Sequence, residues 1–198
     1  AELEQALANA PTDSPQQEMC SSTLDEVSRL KAIVQKLLLL SLADAGRLEL
    51  HREPVNLTRM LEGIVEDCRL QAPHLTVEQA LAPDVGLQAD AQLLEQALQN
   101  LATNAVKYNH KGGKIRFELS KDADRAIVRV ANTGPGISEA DRERIFERFY
   151  RADKSRSARV EGAGLGLSLA REILRAHGGE LTLEEDGEDR TCFGIRLG

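Results

Sequence analysis

The sequence predicts an α+β fold: a two-layer sandwich with helices on one face of a mixed sheet, preceded by a helical arm. Three observations predict it. Apolar residues recur only at helical spacing through the first quarter of the 198-residue chain. Beyond Leu48, strand-type alternation and helical periodicity intermingle. Clusters of Gly, Asp and Asn punctuate the change from one period to the next.

The elements follow in order. Glu2 to Asn9 reads as a short helix that ends at Ala10-Pro11-Thr12-Asp13. A second helix starts with Ser14 as N-cap, Pro15 at the first helical position and Gln17 three residues after the cap. Val27, Leu30, Val34, Leu37 and Ser41 step by three and four, forming one stripe of that helix, flanked by Ile33, Leu38 and Leu40. The stripe suits a core-facing helix or an oligomerisation helix, and Gly46 is placed to cap its C-terminus. Leu57–Leu70 is helical, Leu75–Leu81 and Val85–Gln88 are strand-like, and Asp90 caps a helix running to about Tyr108. Lys114–Leu119 and Ala126–Ala131 alternate as strands around Lys121-Asp122-Ala123-Asp124. Gly164–Ala176 is a helix ended by Gly178-Gly179. A final hairpin, Leu181–Glu184 with Cys192–Leu197, turns around Asp186-Gly187. The arm is placed at 1–47 and the α+β domain at 48–198.

Composition narrows the function. Lys+Arg number 25 against 32 Asp+Glu, a net charge of −7, which argues against a constitutive nucleic-acid or anionic-membrane binder. Cys20, Cys68 and Cys192 are odd in number and widely spaced, with neither metal-type nor disulfide-framework spacing, as expected in a reducing compartment. The longest apolar run, Leu37–Leu40 with Ser41-Leu42-Ala43, is too short to cross a bilayer. The start at Ala1, with no initiator Met and no signal peptide, predicts a piece of a longer protein.

Four stretches carry chemistry. In Gln99–Tyr108, Asn100, Asn104 and Lys107 share one stripe beside the apolar stripe of Leu94, Ala97, Leu101 and Ala105. Amide oxygens suit a Mg²⁺ ion that borrows charge from nucleotide phosphates, and a lysine one turn on suits a phosphate. The same spacing also describes the wet face of an amphipathic helix. Asn132-Thr133-Gly134-Pro135-Gly136-Ile137 follows a strand, and its glycines permit a tight turn and close approach of a flat ligand. Ser138–Glu161 is crowded with charge yet holds Phe146, Phe149 and Tyr150, half of the six aromatics. That composition fits a mobile lid with an aromatic anchor, whose Arg151 and Arg156 could contact phosphate; the alternative is a solvated helix. Gly162-Ala163-Gly164-Leu165-Gly166-Leu167 opens a helix, where backbone N–H groups face a bound anion. It is no Walker loop, since no Gly-Lys-Ser/Thr follows, and its glycine spacing is wrong for a dinucleotide fingerprint.

In this order and spacing the four stretches resemble the nucleotide-binding domain of sensor histidine kinases, within the GHKL superfamily shared with type II topoisomerases and mismatch-repair ATPases. Asn100–Tyr108 resembles the asparagine box, Asn132–Ile137 the first glycine box, Ile145–Arg151 the phenylalanine box and Gly162–Leu167 the second glycine box. The resemblance spans roughly residues 50 to 198 and implies the Bergerat ATP-binding fold, with ATP and Mg²⁺ as cofactors. By the same resemblance Asn104 binds Mg²⁺ with Asn100 assisting, and Lys107, Arg151 and Arg156 face the phosphates. Tyr108, Asn132 and Ile137 line the adenine pocket, and Gly134, Gly136, Gly162, Gly164, Leu165, Gly166 and Leu167 shape the pocket and lid ends. Thr191 matches a threonine near the base.

Two departures accompany it. The family usually has aspartate where this chain has Asn132, whose amide oxygen can accept the same adenine hydrogen bond without the charge. The phosphoacceptor motif is absent, because His51, His74, His110 and His177 all lack its neighbours. His177 reads as a packing or helix-terminating residue. Glu2–Asn9 then resembles the tail of the first dimerisation helix and Pro15–Gly46 the whole second helix, with the phosphoacceptor upstream of Ala1. The resemblance implies autophosphorylation on that histidine, transfer to a response-regulator aspartate, a homodimer through the arm and a cytoplasmic portion of an inner-membrane protein attached through upstream sequence. A nucleotide-gated interaction module and a serine-kinase or anti-sigma-type relative are the alternatives.

Overall fold

The computed structural model describes residues 2–9, 11, 14–152, 163–187 and 189–198. The chain forms two compact units, Ala1–Ser41 and Leu42–Gly198. The first contains α1 (Glu2–Asn9) and most of α2 (Pro15–Asp44). The Gln17 N–H donates to Ser14 Oγ at 3.1 Å, the N-cap bond that Ser-Pro promises. Val27, Leu30, Val34 and Leu37 of its stripe and the flanking Leu38 are exposed, whereas Leu40 and Cys20 are buried.

The last turn of α2 belongs to the larger unit and ends in a Schellman motif. Gly46, at φ +63°, donates to the Ala43 carbonyl at 3.0 Å, and Arg47 donates to Leu42 at 2.8 Å. Then come β1 (Glu53–Asn56), α3 (Leu57–Gln71), β2 (Thr76–Leu81), β3 (Gly86–Ala89), α4 (Ala91–Lys107), β4 (Lys114–Asp122) and β5 (Arg125–Thr133). Two short 3-10 turns, Glu139–Asp141 and Arg144–Phe146, precede α5 (Gly166–Ala176), β6 (Glu180–Gly187) and β7 (Arg190–Leu197).

The main sheet has the order β2-β4-β5-β7-β6, with β2 parallel to β4 and the other pairs antiparallel. Register explains the two layers. Ile115, Phe117 and Leu119 of β4 are buried and stand opposite Asn132, Val130 and Val128 of β5. Those three oppose Thr191, Phe193 and Ile195 of β7, so one face of the sheet is continuous core. Over it lie Leu57, Leu61, Ile64 and Cys68 of α3, Leu94, Leu98, Leu101 and Ala105 of α4, and Leu169, Ile173 and Leu174 of α5. The other face is charged: Arg116 Nε meets Glu118 at 2.6 Å, and Arg129 Nε meets Glu184 at 2.5 Å. The helices therefore cover one face, as the alternation of apolar and charged residues predicts.

Three boundaries differ from expectation. β1, which pairs with β3 as a separate two-stranded ribbon, is not legible in Glu53-Pro54-Val55-Asn56, because only Val55 is buried. The β4 and β5 strands continue to Asp122 and from Arg125 around a two-residue turn with Ala123 at φ +51°, since backbone pairing holds even where charged side chains suggest a loop. The last helix begins at Gly166 rather than Gly164, because Gly164 stands at φ +68°, outside the right-handed helical region.

Candidate nucleotide-binding site

The α4 helix is anchored at its N-terminus by Asp90, whose Oδ1 accepts the Leu93 N–H at 3.0 Å and whose Oδ2 accepts the His51 N–H at 3.1 Å. The Asp90 N–H itself donates to Nε2 of buried His177 at 3.0 Å. That bond requires Nε2 to be unprotonated, so the ring hydrogen sits on Nδ1 and is donated to the Ile173 carbonyl at 2.8 Å. His177 therefore ends α5 and braces the start of α4, the packing and helix-terminating role expected for it.

At its other end α4 is tied to the sheet by Asn109. Its Oδ1 accepts the Thr133 hydroxyl at 2.6 Å, and its Nδ2 donates to the carbonyls of Ala105 and Lys114 at 3.2 and 3.0 Å. Thr133 Oγ1 in turn accepts the Lys114 N–H at 2.8 Å. Sequence reasoning missed Asn109, and the signal was slight: an Asx residue just past a helix end.

Between these anchors Asn100 and Asn104 are half-buried on α4, with Lys107 exposed one turn further and Tyr108 exposed at the C-cap. The second glycine turn meets them. A Cβ added to Gly166 would lie 3.4 Å from Asn100 Oδ1, so the start of α5 rests against that amide. Asn100 Nδ2 is buried and has no hydrogen-bond partner among the described residues, an orphan that a bound polar ligand would satisfy. Gly164 approaches as closely: a Cβ there would fall 2.8 Å from the backbone carbon of Phe149 and 2.9 Å from the Tyr150 carbonyl oxygen. The Phe149 N–H donates to the Gly164 carbonyl at 2.9 Å.

The first glycine turn closes the other side. A Cβ on Gly134 would lie 2.1 Å from the Tyr108 carbonyl oxygen, so the turn after β5 packs directly on the C-cap of α4. Asn132 sits on the helix-facing side of β5, 6% exposed, and its register partner on β7 is buried Thr191. The Asn132 Nδ2 donates to the Thr133 carbonyl at 2.9 Å, which leaves Oδ1 as the acceptor end of that amide. Gly136 is exposed and Ile137 half-buried in the same turn.

In the described part of the aromatic segment, Phe146 and Tyr150 are anchored. Phe146 is buried edge-on against Phe193, ring centroids 6.2 Å apart, with the Arg171 guanidinium 5.1 Å from its own ring. The Tyr150 hydroxyl donates to Asp141, which also accepts from Ser138 Oγ at 2.6 Å. These bonds, Ser138 foremost, hold the Asp141 carboxyl below its usual range, and the bond to Asp141 raises the Tyr150 phenol. The Arg144 guanidinium lies 4.2 Å from the Tyr150 ring. Arg151 is half-buried just beyond. Leu165 is buried, so its side chain is core and only its backbone faces the turn; Leu167 is half-buried. Arg156 and Gly162 lie outside the described residues.

The structure thus brings Asn100 to Gly166, Tyr108 to Gly134, and Asn132 to Thr191. Among the described residues there is no group of three or more His, Cys, Asp or Glu that could hold a metal ion.

Residues 89–198 match the family described as histidine kinase-, DNA gyrase B- and HSP90-like ATPase. The chain belongs to this ATPase family. Among similar proteins, the Escherichia coli protein named "Probable sensor protein PcoS" is 35% identical over 97% of this chain and 41% of its own length. Sensor protein IrlS of Burkholderia pseudomallei is 32% identical over the whole chain and 42% of its own length. The chain therefore spans under half of these relatives. Among solved structures, histidine kinase AdeS of Acinetobacter baumannii superposes with a TM-score of 0.76 at 26% identity, covering all of this chain and 91% of that one. Full-length ShkA in complex with AMPPNP gives 0.83 at 26% identity, over 98% of this chain and 41% of that one. The match begins at the last residue of β3, so Asn100 through Thr191 all lie within it. No helix among the described residues of this ATPase-family chain is long and apolar enough to cross a membrane.

Proposed function

We propose that this chain is the catalytic, ATP-binding part of a two-component sensor histidine kinase, with the arm (1–47) contributing to a dimerisation hairpin and residues 48–198 forming the ATP-binding domain. The observation that carries the reading is the meeting of Asn100, with its orphaned amide nitrogen, and the Gly164–Gly166 turn inside an ATPase-family domain. The names of the relatives, sensor proteins and histidine kinases, support the same assignment.

Asn104 and Asn100 would hold Mg²⁺, which when bound neutralises charge on the nucleotide phosphates. Oδ1 of Asn132 accepts from the adenine amino group, with Thr191 beside it at the floor and Tyr108 and Ile137 at the edges. Lys107 and Arg151 would contact the phosphates, as would the backbone N–H groups at the start of α5, and Arg156, outside the described residues, has the same role by the family resemblance. Phosphoryl transfer then rests on positioning and charge. A P–N bond forms to an imidazole nitrogen as the bond from the γ-phosphorus to the bridging oxygen breaks, and ADP leaves. The acceptor imidazole lies outside this sequence, and a response-regulator aspartate receives the group next. Homodimerisation through the exposed stripe of α2 and a cytoplasmic location complete the reading.

Titration of this chain with ATP in Mg²⁺ tests it. Saturable binding, weakened at least about tenfold by Asn104→Ala, which is about 1.4 kcal/mol, is the expected result. Absence of binding, or acid-labile phosphohistidine formed on this chain alone, would overturn it.

A further inference from the structure

One ion pair joins residues 104 positions apart that the nucleotide site does not use. Arg148 Nη2 donates to Asp44 Oδ1 at 2.5 Å, and Asp44 is the last residue of α2. The pair holds the Asp44 carboxyl below its usual range and raises the Arg148 guanidinium. Glu172 is the other charge that acts on Arg148.

The next residue along the chain explains why this matters. Phe149 stands at φ +62°, a left-handed conformation that a bulky side chain rarely adopts, and its ring is 61% exposed, so side-chain packing does not hold it there. Such a conformation persists only where its surroundings over-determine it. Among the described residues it is held from both sides: Asp44 holds Arg148 before it, the Gly164 carbonyl accepts the Phe149 N–H itself, and Tyr150 after it is bonded to Asp141 and Glu147. Gly164 in turn leads into Gly166, which rests on Asn100. The contacts run without a gap from the end of α2 to the amide proposed to face Mg²⁺.

We propose that Asp44 and Arg148 are a positioning pair that holds Phe149 in its left-handed conformation and so ties the last turn of α2 to the glycine turn at the nucleotide site. The two-state element is the Phe149 backbone. Loss of the pair lets it relax to negative φ, the bond to Gly164 opens, and the turn against Asn100 loses its tether. A displacement of the last turn of α2 would then be read as a change in nucleotide affinity. The link to affinity rests on the nucleotide site proposed above, whereas the link to Phe149 does not.

The test uses the full 198-residue chain, with Asp44→Ala, Arg148→Ala and the double variant. Binding of a fluorescent trinitrophenyl-ATP in Mg²⁺ and hydrogen exchange of the Phe149 amide without nucleotide are both measured. For a half-exposed pair each single variant should weaken binding about two- to five-fold, with the double variant no weaker than the worse single. Raising salt to about 0.5 M weakens the phosphate contacts of every chain alike, and beyond that common loss it should close the gap between the unsubstituted chain and the variants. Exchange at Phe149 should quicken by a similar factor. Unchanged exchange, single variants that bind like the parent chain, or effects that multiply in the double variant would overturn the pair's role. If the parent chain binds no nucleotide, the nucleotide reading fails instead, and Phe149 exchange alone decides whether the pair holds the segment.

Discussion

Gly134→Ala offers the sharpest check on how the site is assembled. A Cβ at that position lies 2.1 Å from the Tyr108 carbonyl oxygen, whereas carbon and oxygen ordinarily approach no closer than about 3.3 Å. One of the two backbones must therefore move by about 1.2 Å. Neither is free to. Tyr108 is held by its own N–H bond to Asn104 at 2.9 Å, and the following Asn109 is bonded to Thr133 and Lys114. On the other side the Gly134 N–H donates to the Asp189 carbonyl at 3.1 Å. Overpacking of this kind destabilises by about 1–3 kcal/mol. For a domain of this size about 2 kcal/mol lowers Tm by roughly 4–8 °C. Thermal unfolding by circular dichroism measures it, with ATP titration alongside, because the displaced Tyr108 borders the proposed adenine pocket. Gly63→Ala is the control: it lies on the exposed side of α3 with nothing within 4 Å of the added Cβ, and should gain about 0.5–1 kcal/mol. If Gly134→Ala melts with the parent chain and binds ATP equally well, the close packing of the turn on α4 is wrong.

Three further outcomes follow from single residues. His177→Ala removes the acceptor for the Asp90 N–H and leaves that buried group unpaired, so urea unfolding should show a loss of about 1–3 kcal/mol. Burial, then the Asp67 charge, pushes the Cys68 thiol up to about 11, so at pH 8 only about one molecule in a thousand carries the thiolate. Disulfide-exchange reagents should label it far more slowly in the folded chain than in urea. Because its ordinary value is 9.0, its contribution to stability is complete below pH 9 and falls as pH rises toward about 11. Asn132→Asp keeps an acceptor at the pocket floor and should retain ATP binding, whereas Asn132→Leu removes it and should weaken binding about tenfold or more, read by the same titration.

Much of the fold was legible because local chemistry and burial agree. Ser14-Pro15 starts a helix, Asp90 caps another and Gly46 ends one, each through a bond to its own neighbours. Ala126, Val128 and Val130 set the core face of β5, and because the strand runs past its predicted end at Ala131 to Thr133, Asn132 falls on that face too. The sequence marked Asn132 only as the start of a glycine-rich turn, and its core position came from the longer strand. β1 escaped notice because a four-residue ribbon with one buried side chain leaves almost no pattern.

The sequence alone determined which residues are chemically fit for nucleotide and metal, because amide oxygens, flexible glycines and helix starts are properties of short stretches. Only the tertiary structure decided which of them meet. Asn132 faces Thr191 across a sheet register that no local signal specifies, and Gly134 and Gly166 have their use only because Tyr108 and Asn100 lie against them. Asp44 and Arg148 are an unremarkable acid and base until folding joins positions 104 apart in the chain. The physical reason is range. Propensity and capping act over about one helical turn, whereas the close contacts that build this site are set by how the whole core packs.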